Sequence, residues 1–270
     1  MADASDNSRE LSIADVAPVL QLAVQEPPGL TLIGGQALNF WADRYLPVSP
    51  ALQALEAQRP FVSGDLDFVG SLAPHRPGAA RDEIDVRGEL AIADRISRAV
   101  HGRLETKGVY KGASVTLAEI TYRDDAGATR IVHFLGDMVG VTPVEVARTS
   151  ILVRGHLRVM NPVLCMESRI SNVLKLEPYQ TTKGRHQARA SIACAQEYVR
   201  ELVADGHVRE ALDANERIFR FAQQRAAGCA GEGFRPFDAV LVDERLPDEF
   251  RTIRYPRMVQ AMERDRGVEW

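Results

Sequence analysis

Short apolar runs and stretches of helical spacing alternate along the first quarter of the chain. Residues 11–25 carry apolar positions at helical spacing, although Pro18 allows only a broken or late-starting helix. Residues 30–33 are apolar except for Thr31 and stop at a Gly pair, which predicts a short buried strand. Residues 36–46 return to helical spacing. A strand that feeds a helix through Gly-Gly is therefore expected here.

The next pattern is that of strands. Residues 65–72 begin with aspartates that alternate with apolar side chains, as a half-buried strand requires. Residues 114–123 and 129–141 flank the turn sequence DDAG, which predicts an antiparallel hairpin. We expect a loop with a short helix over residues 47–60 and a helix over residues 90–104.

Beyond Asn161 the pattern becomes helical. We predict one helix to about Leu176 and two more over residues 187–203 and 209–225. Residues 234–258 mix Pro with charged residues and receive no assignment. The predicted class is α+β, with an α/β domain over residues 1–160 followed by a helical domain over residues 161–270.

Composition places few limits on function. The 270 residues are 45% hydrophobic and 26% charged, with a formal net charge of −4, so no global excess of positive charge indicates a nucleic-acid or membrane partner. The three cysteines are scattered and form no metal-binding pair. Neither a signal peptide nor an apolar run of membrane-spanning length is recognisable, so we expect a cytoplasmic protein with no membrane partner. The oligomeric state stays open.

Candidate chemistry concentrates at two motifs. Gly34 and Gly35 lie where a strand turns into a helix, and such a turn offers backbone N–H groups that a phosphate can approach closely. Asp65 and Asp67 are two residues apart, so on a strand their carboxylates share a face. A hard divalent cation would relieve their repulsion. Taken separately, the motifs also fit an ordinary tight turn and a solvated strand face.

Together, LIGGQALNFW and SGDLDFVG resemble the nucleotidyltransferase superfamily of the polymerase-β fold, and within it the AbiEii-type and minimal nucleotidyltransferases, many of which are toxins of toxin–antitoxin systems. The resemblance covers roughly residues 30–200. It implies a mixed sheet and the transfer of a nucleoside monophosphate from an NTP, with Mg²⁺ or Mn²⁺ as cofactor. It also implies that Gly34 and Gly35 bind the nucleotide, while Asp65 and Asp67 bind the metal and act in catalysis. The acceptor stays open between an RNA such as tRNA, a protein side chain and a small molecule.

The chain departs from the family pattern where a third carboxylate is expected. His133 stands at that position in IVHFL. An imidazole can serve as metal ligand or general base, and a half-buried structural histidine is the alternative. If the hairpin turn centres near Ala126, Glu119 pairs with His133 and either supplies the missing carboxylate or orients the ring. Asp137 is a further candidate, although it lies past the expected strand end.

The helical half carries weaker signals. The resemblance implies that Lys175 contacts the nucleotide, whereas a surface lysine is the commoner explanation. Gln187 and Ala190 stand where toxin members carry acids, while Arg185 and Arg189 keep the segment basic. These losses leave two functions open: an active nucleotidyltransferase, or a degenerate nucleotide-binding or protein-interaction module of the same fold.

Overall fold

A computed structural model describes residues 17–24, 29–57, 64–73, 83–107, 116–153 and 157–266. The chain divides into two compact units. The sheet unit comprises residues 1–40 and 62–161, and the helical unit comprises residues 41–61 and 162–270. The sequence pattern predicts a division at 160/161, with residues 41–61 in the first domain.

The described residues of the sheet unit contain seven strands: β1 (Thr31–Ile33), β2 (Asp65–Val69), β3 (Arg103–Thr106), β4 (Thr116–Arg123), β5 (Thr129–Leu135), β6 (Ile151–Val153) and β7 (Leu157–Val159). They form one mixed sheet in the order β3-β4-β5-β2-β1-β7-β6. The pairs β2–β5 and β1–β7 are parallel, and the other neighbouring pairs are antiparallel. The prediction of an α+β protein with a mixed sheet is confirmed.

Among the described residues, four helices belong wholly or partly to the sheet unit. They are α1 (Ala17–Val24), α2 (Gly34–Tyr45, as far as Phe40), α4 (Val86–Ala99) and α5 (Pro143–Thr149). Asp85 caps α4, since its carboxylate accepts the N–H of Gly88 at 3.0 Å. Helix α4 packs on β3, β4 and β5.

Strand alternation decides which face of the sheet is buried. Leu66 and Phe68 of β2 are 1% and 0% exposed, and Phe68 stacks on Phe134 of β5 with ring centroids 6.0 Å apart. The residues between them therefore point to the opposite face. Burial of this apolar layer fixes the register, because a shift by one residue would exchange the two faces.

Helix α4 ends earlier than predicted. Instead of continuing to Leu104, it stops at Ala99, and His101 adopts a φ of 51°. The N–H of Gly102 then donates to the carbonyl of Ser97 at 2.8 Å, which closes the last turn. The chain leaves this turn as β3, an edge strand that the helical spacing had concealed.

The helical unit contains α3 (Pro50–Glu56), α6 (Pro162–Lys175), α7 (Thr182–Ala204), α8 (Val208–Gln224), α9 (Ala226–Glu232) and α10 (Tyr255–Arg266), together with the end of α2. The three predicted long helices and the short helix after residue 47 are confirmed. Within this unit, the partly exposed Arg217 of α8 donates two 2.7 Å hydrogen bonds to the buried carboxylate of Glu167 on α6. Within the described ranges, none of the helices combines the length and apolar character that crossing a membrane requires.

Candidate metal centre

The turn from β1 into α2 places a glycine against an aspartate. Gly34 has a φ of 69°, a conformation that favours glycine. A Cβ atom at Gly34 would lie 2.1 Å from Oδ2 of Asp67 and 3.0 Å from its Cβ. The antiparallel pairing of β1 with β2 causes this proximity, since Ile33 is the register partner of Asp67. Gly34 is therefore required both by the backbone and by the space that Asp67 occupies.

Asp65 and Asp67 lie on the face of β2 opposite the buried layer. The side chain of Asp67 is 15% exposed and that of Asp65 is 42% exposed. Both carboxylates thus stand on one side of a central strand, with Asp65 nearer to solvent. The predicted shared face is what the strand alternation produces.

His133 joins the two aspartates because β5 runs parallel to β2 with Asp67 and His133 as register partners. Its Nδ1 lies 3.2 Å from Oδ1 of Asp67 and 3.7 Å from Oδ2 of Asp65. One ligand atom from each of these three residues falls within 4.8 Å of the others, so the group could hold a metal ion. Two carboxylates and one imidazole form a donor set that suits a divalent cation.

Glu119 lies on the other side of the imidazole ring. It is the register partner of His133 in the antiparallel pair β4–β5, and its Oε2 is 3.5 Å from Nε2 of His133. The predicted register of the hairpin is confirmed. Glu119 faces Nε2 and not the aspartates, and within the described residues the three-ligand group contains Asp65, Asp67 and His133.

Lys107 completes this row of charges, and the sequence analysis missed it. Its Nζ donates to Oε2 of Glu119 at 3.0 Å. Lys107 follows β3 directly, and its N–H donates to the carbonyl of Leu117 at 2.9 Å, which extends the pairing with β4. Once β3 is recognised as a strand antiparallel to β4, the pairing brings Lys107 close to Glu119. The sequence analysis extended the preceding helix to residue 104, so it did not foresee the pairing of β3 with β4.

The charges of the group act on one another. A hydrogen bond with Asp67 raises the pKa of His133, and the charges of Asp67, Asp65 and Glu119 add to this shift while burial opposes it. The hydrogen bond from Lys107 lowers the pKa of Glu119. The two aspartates therefore favour a positive charge beside them, and in the structure Nδ1 of His133 lies at that position.

The remaining predicted residues lie elsewhere. Gly35 is buried in the first turn of α2. Asp137 lies beyond the end of β5, as expected, and its carboxylate accepts the N–H of Met138 at 2.8 Å. Lys175 is at the C-terminal end of α6, in the helical unit. Arg185 is engaged by a salt bridge to Glu232, with Nε and Oε2 2.6 Å apart.

Comparisons with known proteins gave no match. Family models, curated proteins and solved structures were all compared, and none of them matches the chain. The polymerase-β fold and the nucleotidyltransferase family therefore stay predictions drawn from the motifs.

Proposed function

We propose that the protein is a divalent-metal-dependent nucleotidyltransferase that moves a nucleoside monophosphate from an NTP to an acceptor hydroxyl. The observation that carries the proposal is the contact between Gly34 and Asp67 beside His133. A glycine turn at a helix start and a carboxylate–imidazole group lie next to each other, and this is the combination needed to hold a triphosphate together with its metal.

Different residues of the sheet unit would bind the phosphates and the metal ion. Gly34 and Gly35 lie in the buried first turn of α2, whose backbone N–H groups would bind phosphate oxygens, and the missing Cβ of Gly34 leaves room for the carboxylate of Asp67. Asp65, Asp67 and His133 would hold the metal ion. Bound there, Mg²⁺ or Mn²⁺ would neutralise the phosphates and polarise the α-phosphorus. The acceptor hydroxyl would lose its proton to solvent water and its oxygen would form a bond to that phosphorus as the bond to pyrophosphate breaks. Positioning and charge would supply most of the catalysis.

The group formed by Asp65, Asp67 and His133 is exposed enough for a substrate to reach it. The 42% exposed side chain of Asp65 leaves one side of the group open, while Asp67 and His133 lie deeper, at 15% and 23%. A metal held there would keep coordination positions free for phosphate oxygens and water. The acceptor class remains open between RNA, protein and small molecule, and so does a role as the toxin of a toxin–antitoxin pair.

The test is pyrophosphate release from each of the four NTPs with Mg²⁺ or Mn²⁺, assayed against a panel of RNA and protein acceptors. Asp65→Asn and Asp67→Asn should abolish release, because each keeps the side-chain volume and removes a ligand charge. Asp94→Asn is the matched control, since Asp94 pairs with Arg98 on the surface of α4. Release that survives the double variant would refute the proposal. NTP binding without turnover in the native chain would favour the degenerate nucleotide-binding module.

A further inference from the structure

We infer that His133 binds the metal through Nδ1 and donates its Nε2–H to Glu119, and that this arrangement makes the centre prefer Mn²⁺ to Mg²⁺. The inference rests on the proposed function, because it takes Asp65 and Asp67 as ligands of the same ion. It assigns Glu119 and Lys107 the role of positioning residues.

The two ring nitrogens of His133 face different partners. Nδ1 points toward the aspartates, at 3.2 Å from Asp67 and 3.7 Å from Asp65, whereas Nε2 is 3.5 Å from Glu119. A neutral imidazole carries one proton and one lone pair, so the nitrogen that binds a metal leaves the proton on the other. With the lone pair of Nδ1 on the metal, the proton lies on Nε2, where a carboxylate is available to accept it. Histidines that bind metals commonly have such a carboxylate partner.

Glu119 is itself held in place. Lys107 donates to the same Oε2 atom that faces the imidazole, at 3.0 Å, and its backbone is tied to β4 through Leu117. The ammonium also neutralises the charge of Glu119, so this carboxylate adds no net charge near the metal. The three ligands therefore carry two negative charges, one fewer than a set of three carboxylates would carry.

This donor set alters the choice of metal. Mg²⁺ favours oxygen ligands and gains most from negative charge, while an imidazole nitrogen suits transition-metal ions. Exchanging one carboxylate for an imidazole therefore weakens Mg²⁺ binding more than it weakens binding of Mn²⁺, which accepts both oxygen and nitrogen. The competing explanation is that Nδ1–H donates to Asp67 as a purely structural hydrogen bond, in which case Glu119 has no influence on metal affinity.

The experiment titrates the full-length chain with Mn²⁺, following free Mn²⁺ by EPR, and then displaces it with Mg²⁺. His133→Asp restores a third carboxylate and should lower the ratio of Mn²⁺ to Mg²⁺ affinity about tenfold or more. Glu119→Gln should weaken Mn²⁺ binding by about 10- to 100-fold, and Glu119→Asp should recover part of the loss. Glu105→Gln is the matched control, because Glu105 is the exposed register partner of Glu119 on β3.

The outcomes separate this inference from the proposed function. An unchanged affinity ratio in His133→Asp, or a Glu119→Gln variant that binds Mn²⁺ as Glu105→Gln does, would overturn the inference while leaving the metal centre in place. If Mn²⁺ binds equally well to the native chain and to the Asp65→Asn/Asp67→Asn variant, the centre itself is wrong and the proposed function fails with it. Far-UV circular dichroism of each variant shows that it is folded when the titration is made.

Discussion

Substituting Gly34 by alanine tests the geometry on which the site depends. A Cβ at this position meets Oδ2, Cγ and Cβ of Asp67 at 2.1, 2.9 and 3.0 Å. Rotation of the carboxylate alone moves only the oxygens, so the whole side chain of Asp67 must turn away or the backbone must shift. The φ of 69° adds about 1–2 kcal/mol of strain for an L-residue. Overpacking adds about 1–3 kcal/mol if Asp67 stays in place.

Gly127→Ala separates the two contributions. Gly127 lies in the β4–β5 turn with a φ of 77°, and a Cβ there would meet no atom within 4 Å. It therefore carries the backbone strain without the clash. Urea unfolding followed by circular dichroism gives the free energy of unfolding of each variant, and Mn²⁺ titration gives its metal affinity.

We expect Gly127→Ala to lose about 1–2 kcal/mol of stability and to keep its Mn²⁺ affinity. Gly34→Ala should show one of two additional effects, depending on which group yields. If Asp67 turns away, Mn²⁺ affinity falls about tenfold or more, which corresponds to about 1.4 kcal/mol. If the backbone shifts, the overpacking cost appears as a further loss of stability. Should Gly34→Ala match Gly127→Ala in both measurements, the contact between Gly34 and Asp67 would be refuted.

Two further predictions concern buried charges. Glu89 of α4 is 1% exposed beside Gly70, and burial raises its pKa to about 8. Because this pKa lies above the unfolded value of 4.5, the stability that protonated Glu89 provides is complete below pH 4.5 and is lost as the pH rises through 8. Glu89→Gln should therefore match the native protein at pH 4.5 and exceed its urea stability by up to about 5 kcal/mol at pH 8.5. A stability difference that does not depend on pH would contradict this. Arg217→Met removes two hydrogen bonds to the carboxylate of Glu167, which is only 6% exposed, and should cost about 3–5 kcal/mol in the same assay. Arg98→Met, in the exposed pair with Asp94, should cost at most about 1 kcal/mol. Equal losses would show that burial of Glu167 carries no penalty.

Local sequence signals predicted the centre where one turn or one strand decides the geometry. The Gly pair predicted the turn from strand to helix at Gly34, and the DLD alternation predicted the strand that carries Asp67, because each follows from a single element. The pairing of Glu119 with His133 was also predictable, since a short hairpin turn fixes the register of its two strands. The proximity of His133 to Asp67 depends on a parallel pairing, and only the resemblance to a known family indicated it.

The errors came from elements with weak patterns. Strand β3 has four residues, three of them exposed, and therefore shows no apolar alternation from which it could be recognised. Missing it concealed Lys107, whose position depends on the pairing of β3 with β4. Membership of residues 41–61 in the helical unit depends on long-range packing, which composition does not record.

The parallel pairing of β2 with β5 also affects how the centre can form. Asp67 and His133 are 66 positions apart in the chain, and their neighbourhood requires closure of the long segment between them. Loop closure of that length costs entropy that is recovered only when the strands pair, so high contact order slows this step. The centre therefore cannot be transplanted as a short peptide. The centre can form only after β1, β2 and β5, the central strands of the sheet, have paired.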